Sequence, residues 1–169
     1  MRAPLDTGPG WPGIVGFVLT TLAALIIQGA AGRIGVNGAL FVNLPLIVLF
    51  LWSFKRPGLV SPIALLIAGL LQDLVTGGPL GVWALAYLVA FAAARDREAD
   101  GAGVEVGPAA LRFAALSAAA YVTAWAAGSA AVGAPAGFQA LIAEALLTIL
   151  LFPAFAWVFV RRKERSAFF

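Results

Sequence analysis

Two carboxylates, Asp73 and Glu144, lie inside long apolar stretches of the sequence, where an acid is costly enough to indicate a function by default. Other polar residues fall at a comparable depth in their own apolar stretches, namely Asn43, Gln72, Gln28 and Gln139. We expect such side chains to face either a water-accessible cavity open to the outside or a shared hydrogen-bonded core. The simpler alternative is that Asp73 contacts headgroup water while Glu144 forms an ion pair with Arg33.

The residue types exclude most catalytic chemistry. The chain has no Cys and no His, which removes disulfides, thiolate nucleophiles, imidazole bases and the usual zinc ligands. Its acids form no paired motif for Mg²⁺ and diphosphate, and no serine nucleophile motif is present. We therefore predict a protein that is not an enzyme, with no catalytic residue, no metal site and no cofactor.

Composition places these residues in a membrane. Of 169 residues, 62% are hydrophobic and 11% are charged, whereas soluble domains carry about 25% charged residues. The runs are continuously apolar, which is typical of helices and not of alternating strands. We predict an all-α polytopic membrane protein with a single domain of six transmembrane helices, at residues 13–31, 39–54, 58–75, 79–94, 109–132 and 136–160. Runs 39–54 and 79–94 would reach only about 24 Å as helices, against a hydrocarbon core of about 30 Å.

Basic residues predict the orientation, because Lys and Arg are retained in the cytoplasm. If the N-terminus is inside, the inner segments hold nine basic residues and the outer segments hold only Arg33, while Arg112 lies within the fifth run and is left out of the count. The nine are Arg2, Lys55, Arg56, Arg95, Arg97, Arg161, Arg162, Lys163 and Arg165. Both termini should therefore be cytoplasmic, and the basic residues favour a membrane surface over nucleic acid. The first run is longer than the apolar core of an ordinary signal peptide, so we expect it to be retained.

Two connections differ from the rest of the chain. The polar stretch 95–108 mixes charges of both signs with glycine and is typical of a solvated cytoplasmic loop. Residues 76–81 read Thr-Gly-Gly-Pro-Leu-Gly and join the third and fourth runs on the outer side. Gly77 and Gly78 can end one helix in left-handed conformations, and Pro79 suits the first turn of the next. This short turn either only links two helices or also presents a fixed surface to a partner or closes over a cavity.

Residues 43–85 resemble a known family. An apolar span with an early proline, Pro45, ends in Leu-Trp-Ser-Phe-Lys-Arg-Pro at residues 51–57. The next span closes in a G-x-x-x-D element, Gly69 to Asp73, before the glycine turn and the pair Leu80-Gly81. This order is similar to the MreD family of bacterial rod-shape-determining membrane proteins. Phe152-Pro153 ahead of the basic tail also resembles the C-terminus of that family.

The resemblance implies a non-enzymatic component of the cell-elongation machinery in the bacterial inner membrane. It implies MreC as partner, and through MreC the glycosyltransferase RodA, a penicillin-binding transpeptidase and the actin-like MreB. The family is also similar to the S-components of energy-coupling-factor vitamin transporters, which supplies an alternative function, an outward-facing substrate pocket. Either function would use the same candidate site residues, which are Asn43, Gln72, Asp73, Gly77, Gly78, Pro79, Gly81 and Glu144. The sequence leaves open whether they contact a protein, a lipid or a small ligand.

Overall fold

The structure, a computed structural model, describes residues 10–34, 42–95, 106–134 and 137–165, with side chains for 10–30, 42–94, 107–134 and 137–157. These residues form six α-helices and no strand, which confirms the all-α prediction for this part of the chain. The helices are α1 (Trp11–Ile34), α2 (Leu44–Lys55), α3 (Pro62–Thr76), α4 (Val82–Arg95), α5 (Val106–Val132) and α6 (Phe138–Arg165). Most of the predicted polar loop, residues 96–105, lies outside the described residues.

Three of these helices are long and apolar enough to cross a membrane, which indicates a membrane protein by length and composition. The qualifying segments are Trp11–Ala30 in α1, Gly107–Val132 in α5 and Phe138–Trp157 in α6. Helices α2, α3 and α4 have 12, 15 and 14 residues. At a rise of about 1.5 Å per residue these three reach only about 18–23 Å, which is less than a full hydrocarbon core of about 30 Å.

The outside of the bundle is apolar, unlike that of a water-soluble protein, and its mainly apolar interior also holds several polar side chains. Among the most deeply buried side chains, at 1% exposure or less, are the polar groups Asn43, Gln72, Asp73, Ser117 and Thr148. Large aliphatic side chains instead cover the outside, among them Ile63 at 70%, Leu74 at 69% and Leu150 at 77% exposure. An apolar surface of this extent is favourable in lipid, and the polar groups gain by bonding to one another inside the bundle.

Consecutive helices run in opposite directions. Phe17 near the start of α1 packs edge-on against Trp52 near the end of α2, with ring centroids 5.8 Å apart. Phe113 in the first half of α5 stacks on Phe152 in the second half of α6 at 4.2 Å. One end of the bundle, which we call the turn end, therefore holds residues 76–81 and the first residues of α2 and α6. The opposite end, which we call the basic end, holds Lys55 and the first turns of α5.

Helix starts follow local capping signals. Asn43 and Ser61 accept the backbone N–H groups of Leu46 and Ala64, and a proline lies in the first turn of each of the two helices. Both patterns are typical of helix N-termini. The second run was predicted to begin at residue 39, but helix α2 begins at Leu44 because the Asn43 side chain caps it.

Other predicted helix starts also differ from the observed ones, and two of these differences involve a proline. Pro79 was assigned to the first turn of the fourth helix, but α4 begins at Val82 and Pro79 lies in the turn before it. The fifth helix was predicted from residue 109, but α5 begins at Val106 and includes Pro108. Proline is tolerated there because the N–H groups of a first helical turn have no partner within the helix.

Candidate functional site

The Asp73 carboxylate caps the start of the neighbouring helix. One of its oxygens accepts the backbone N–H of Gly81 at 2.7 Å, and the other accepts the N–H of Trp83 at 3.0 Å. Asp73 lies in the last turn of α3, and these two N–H groups are among those that the start of α4 leaves unpaired. The side chain is only 1% exposed, so the acid is held inside the bundle by α4 itself.

This arrangement explains how a carboxylate is tolerated in an apolar helix. The N-terminus of a helix carries partial positive charge, and hydrogen bonds to a charged acceptor are stronger than neutral ones. Both oxygens of Asp73 are used, one for each N–H group. Asp73 therefore fixes the α3–α4 hairpin, and the prediction that it contacts only headgroup water is not what the geometry favours.

Gly69 lies one helical turn before Asp73 and allows α4 to approach. A Cβ atom at Gly69 would overlap the backbone of Trp83 and Ala84, which cannot move aside as a flexible side chain can. The spacing of four residues places Gly69 and Asp73 on the same face of α3. The G-x-x-x-D element thus has a physical meaning: the glycine brings the start of α4 close, and the acid then binds it.

The turn between these helices is tightly held but exposed. Gly77 ends α3 in a left-handed conformation, with φ of 71° and ψ of 20°, and its N–H donates to the Asp73 carbonyl. The N–H of Gly78 donates to the same carbonyl at 3.2 Å, and Gly81 also has a positive φ, 96°. Gly77, Gly78 and Pro79 are exposed, and Leu80 at the tip is 72% exposed. The turn end thus presents a stiff surface with an apolar tip.

A buried hydrogen-bond network lies beneath the turn. The Tyr87 hydroxyl of α4 contacts the amide oxygens of Asn43, at 3.0 Å, and of Gln72 in α3. The Asn43 oxygen also accepts the Leu46 N–H at 3.1 Å. All three polar side chains are fully buried, at 0% exposure. Asn43 and Gln72 were predicted to gather at one depth, and the structure brings them together through Tyr87.

The network continues into the last two helices. The Asn43 N–H donates to the Thr148 hydroxyl at 3.0 Å, and that hydroxyl donates to the Glu144 carbonyl at 2.8 Å. The Tyr121 hydroxyl lies 3.2 Å from the Thr148 oxygen. Glu144 is half-buried, whereas Asp73 is fully buried. The predicted acids therefore lie in two different settings: Asp73 caps a helix inside the bundle, and Glu144 is half-buried on α6 beside the residue chain that ends at Thr148.

The network is not fully satisfied among the described residues. A phenol has one proton, so Tyr87 can donate to only one of its two amide oxygens at a time. If the oxygen and nitrogen of the Gln72 amide exchange places, the nitrogen can donate to the Tyr87 hydroxyl. The Gln72 oxygen then loses its hydrogen bond to Tyr87. In the described part of the chain neither Asn43 Nδ2 nor Gln72 Nε2 has a partner. Two buried amide nitrogens of the cluster are therefore left without a hydrogen bond to the described residues.

Removing the Tyr87 hydroxyl should destabilise the bundle. A Tyr87→Phe substitution takes the shared donor from two buried amides, and we expect the free energy of unfolding in detergent to fall by about 1–2 kcal/mol. Ser117→Ala is the matched control, because the Ser117 hydroxyl is also at 0% exposure but has no partner among the described residues. It should be neutral or stabilising. Equal losses in both variants would show that the Tyr87 hydroxyl contributes no specific bond.

Some predicted members of the polar cluster do not join it. Gln139 is exposed on α6, and Gln28 is buried in α1, where its Oε1 has no partner among the described residues. The Arg33 side chain, which we considered as an ion-pair partner of Glu144, lies outside the described side chains. No group of three or more described acidic residues is arranged to hold a metal ion.

Sequence reasoning missed the two tyrosines, which are the only tyrosines in the chain. Tyr87 and Tyr121 lie in the middle of apolar runs, and neither was considered in the sequence analysis. A buried phenol usually needs a hydrogen-bond partner, so tyrosine in the middle of a span was the signal that could have found them.

Comparison with known proteins gives no assignment. No protein-family model matches the chain, and no curated protein or solved structure matches it significantly. The resemblance to the MreD family therefore depends on the residues quoted from 43–85 and on the C-terminal Phe152-Pro153.

Proposed function

We propose that this protein is a non-enzymatic, MreD-like scaffold of the bacterial cell-elongation complex. The observation that carries the proposal is the α3–α4 turn, which is exposed at its tip yet fixed at its base by Asp73 and Gly69. A preorganised surface loses little conformational entropy when it binds a partner. The exposed Leu80 at its tip offers an apolar contact to a protein that lies on the same side of the membrane.

The proposed partner follows from the family resemblance. MreC would dock on the turn end, and through it the scaffold would support peptidoglycan synthesis by RodA and a penicillin-binding transpeptidase, together with MreB. The outer polar residues favour this function over a ligand pocket because they bond mainly to one another and to backbone. Asp73 is fully occupied by α4, and Asn43 caps α2.

We further propose that all six helices cross the inner membrane, with both termini in the cytoplasm and the turn end outside. The shorter helices α2, α3 and α4 would cross a locally thinned bilayer. Alkaline phosphatase is active only outside the inner membrane, so fusions after Gly78 or Gly133 should be active. Fusions after Arg97 or Phe169 should be inactive. Activity of the Phe169 fusion would contradict this topology.

Depletion in a rod-shaped host tests the function itself. We expect round, swollen cells, and we expect tagged protein in mild detergent to retain an MreC-like coiled-coil partner. Rod-shaped cells after full depletion would contradict the scaffold proposal.

The unpaired amide nitrogens of Asn43 and Gln72 favour one second candidate, the S-component of a vitamin transporter. A small polar ligand above the network could accept hydrogen bonds from both groups. Purification from cells followed by mass spectrometry of small molecules separates the two functions. A stoichiometric vitamin, together with paired ATPases encoded beside this protein, would favour the transporter.

A further inference from the structure

A second feature lies at the basic end, away from the polar network. A cavity of about 350 Å³ opens between α2, α4 and α5. It is lined by Phe50, Phe54, Ala90, Ala93, Ala94, Leu111, Arg112, Ala115, Leu116 and Ala119. We call this cavity the basic-end groove.

The groove exists because the facing helices carry small side chains. Three alanines of α4 and two of α5 contribute to its walls, while the buried Phe50 closes it toward the core. Leu111, which is 74% exposed, and the exposed Ala93 and Ala115 mark where it opens on the outside of the bundle. In a membrane that opening faces lipid, so an acyl chain can enter from the side.

One cation lines this apolar space. Arg112 is half-buried, six residues after the start of α5, or about 9 Å along the helix axis from its first residue. It is the single charged residue of the lining, and no described residue forms an ion pair with it. Arginine binds phosphate through a planar array of N–H donors.

We propose that the basic-end groove binds an anionic phospholipid, with one acyl chain between α4 and α5 and the headgroup phosphate on Arg112. The positive charge of Arg112 favours an anionic headgroup, and the apolar lining of the groove favours an acyl chain. A free phosphate fits less well, because it would leave the apolar lining of the groove without an occupant. In the topology proposed above, the groove lies in the cytoplasmic leaflet, but the binding itself does not depend on the scaffold function.

Native mass spectrometry of the full chain tests the headgroup. The protein is purified, exchanged into detergent with equal amounts of phosphatidylglycerol and phosphatidylcholine, and scored for retained lipid. We expect wild-type protein to retain phosphatidylglycerol about fivefold more than phosphatidylcholine, and Arg112→Gln to retain both equally. Arg56→Gln is the matched control, an exposed cation at the same end that does not line the groove, and it should keep the preference.

A second pair of variants tests the acyl chain. Ala115→Phe fills the groove and should reduce retention of both lipids severalfold, whereas Ala118→Phe places the same ring on an exposed position of α5 outside the groove. Unchanged melting temperatures verify that each variant is folded. Equal retention of the two lipids by wild type, or a preference that survives Arg112→Gln, would overturn the proposal. Loss of the preference in millimolar inorganic phosphate, without any effect of Ala115→Phe, would indicate a free-anion site and would also overturn it.

Discussion

Replacing Asp73 with leucine is expected to free the start of α4 and lower the free energy of unfolding by about 2–3 kcal/mol. Leucine accepts no hydrogen bond, so the N–H groups of Gly81 and Trp83 lose their partner inside the bundle. Hydrogen exchange of these two amides measures the effect at the site. If the free energy of local opening falls by about 2 kcal/mol, these amides should exchange roughly 30-fold faster.

Asp73→Asn separates charge from shape. An asparagine has one amide oxygen where aspartate has two carboxylate oxygens, so it can keep only one of the two bonds and should give an intermediate effect.

Glu144→Gln is the control, because Glu144 is the other acid of the apolar runs and caps neither Gly81 nor Trp83. It should leave hydrogen exchange at Gly81 and Trp83 unchanged. In cells, Asp73→Leu should fail to restore rod shape at normal protein levels. Full rescue together with wild-type exchange would show that the cap is not required.

Adding a single methyl group at Gly69 should also be costly. In Gly69→Ala the new Cβ overlaps the backbone of Ala84, so α3 and α4 must separate, and we expect a loss of about 1–3 kcal/mol in the free energy of unfolding. That loss should occur although alanine favours a helix by about 1 kcal/mol over glycine. Thermal unfolding in detergent measures the difference.

Gly128→Ala is the matched control for this substitution. Gly128 also lies inside a helix, but a Cβ there would meet only Val82 Cγ1 at 4.0 Å. The control should therefore be neutral or stabilising, because the gain in helix propensity is not opposed by a clash. If Gly69→Ala were as stable as Gly128→Ala, the close approach of α3 and α4 would not contribute to stability.

Local signals in the sequence were enough to predict the helical class and the end of α3. Gly77 supplies the left-handed residue that ends α3, as predicted. The caps Asn43 and Ser61 were not predicted, although each lies shortly before a proline. These features depend on neighbours within a few residues. They can be recognised in the sequence because each residue affects only the backbone within a few residues of itself.

Features that depend on contacts between helices could not be predicted. Pro79 was placed in α4 because proline favours a first turn, but Asp73 binds the N–H groups of Gly81 and Trp83, and the helix begins at Val82. Tyr87 joins α2 and α3 through a bond that spans 44 residues to Asn43. Such bonds depend on which faces the helices turn toward each other, and hydrophobicity alone does not determine that in an alanine-rich bundle.

Site-specific photo-cross-linking at the turn tests the scaffold proposal most directly. A benzophenone amino acid is placed at Leu80, 72% exposed on the turn, or at Ile63, 70% exposed at the basic end, in living rod-shaped cells. The account predicts a cross-link from position 80 to an MreC-like partner, identified by mass spectrometry, and none from position 63. It also predicts that Asp73→Leu weakens the cross-link at equal protein levels. Two results together would contradict the proposal. They are the absence of a cross-link to that partner from position 80 and a normal rod shape in cells depleted of the protein.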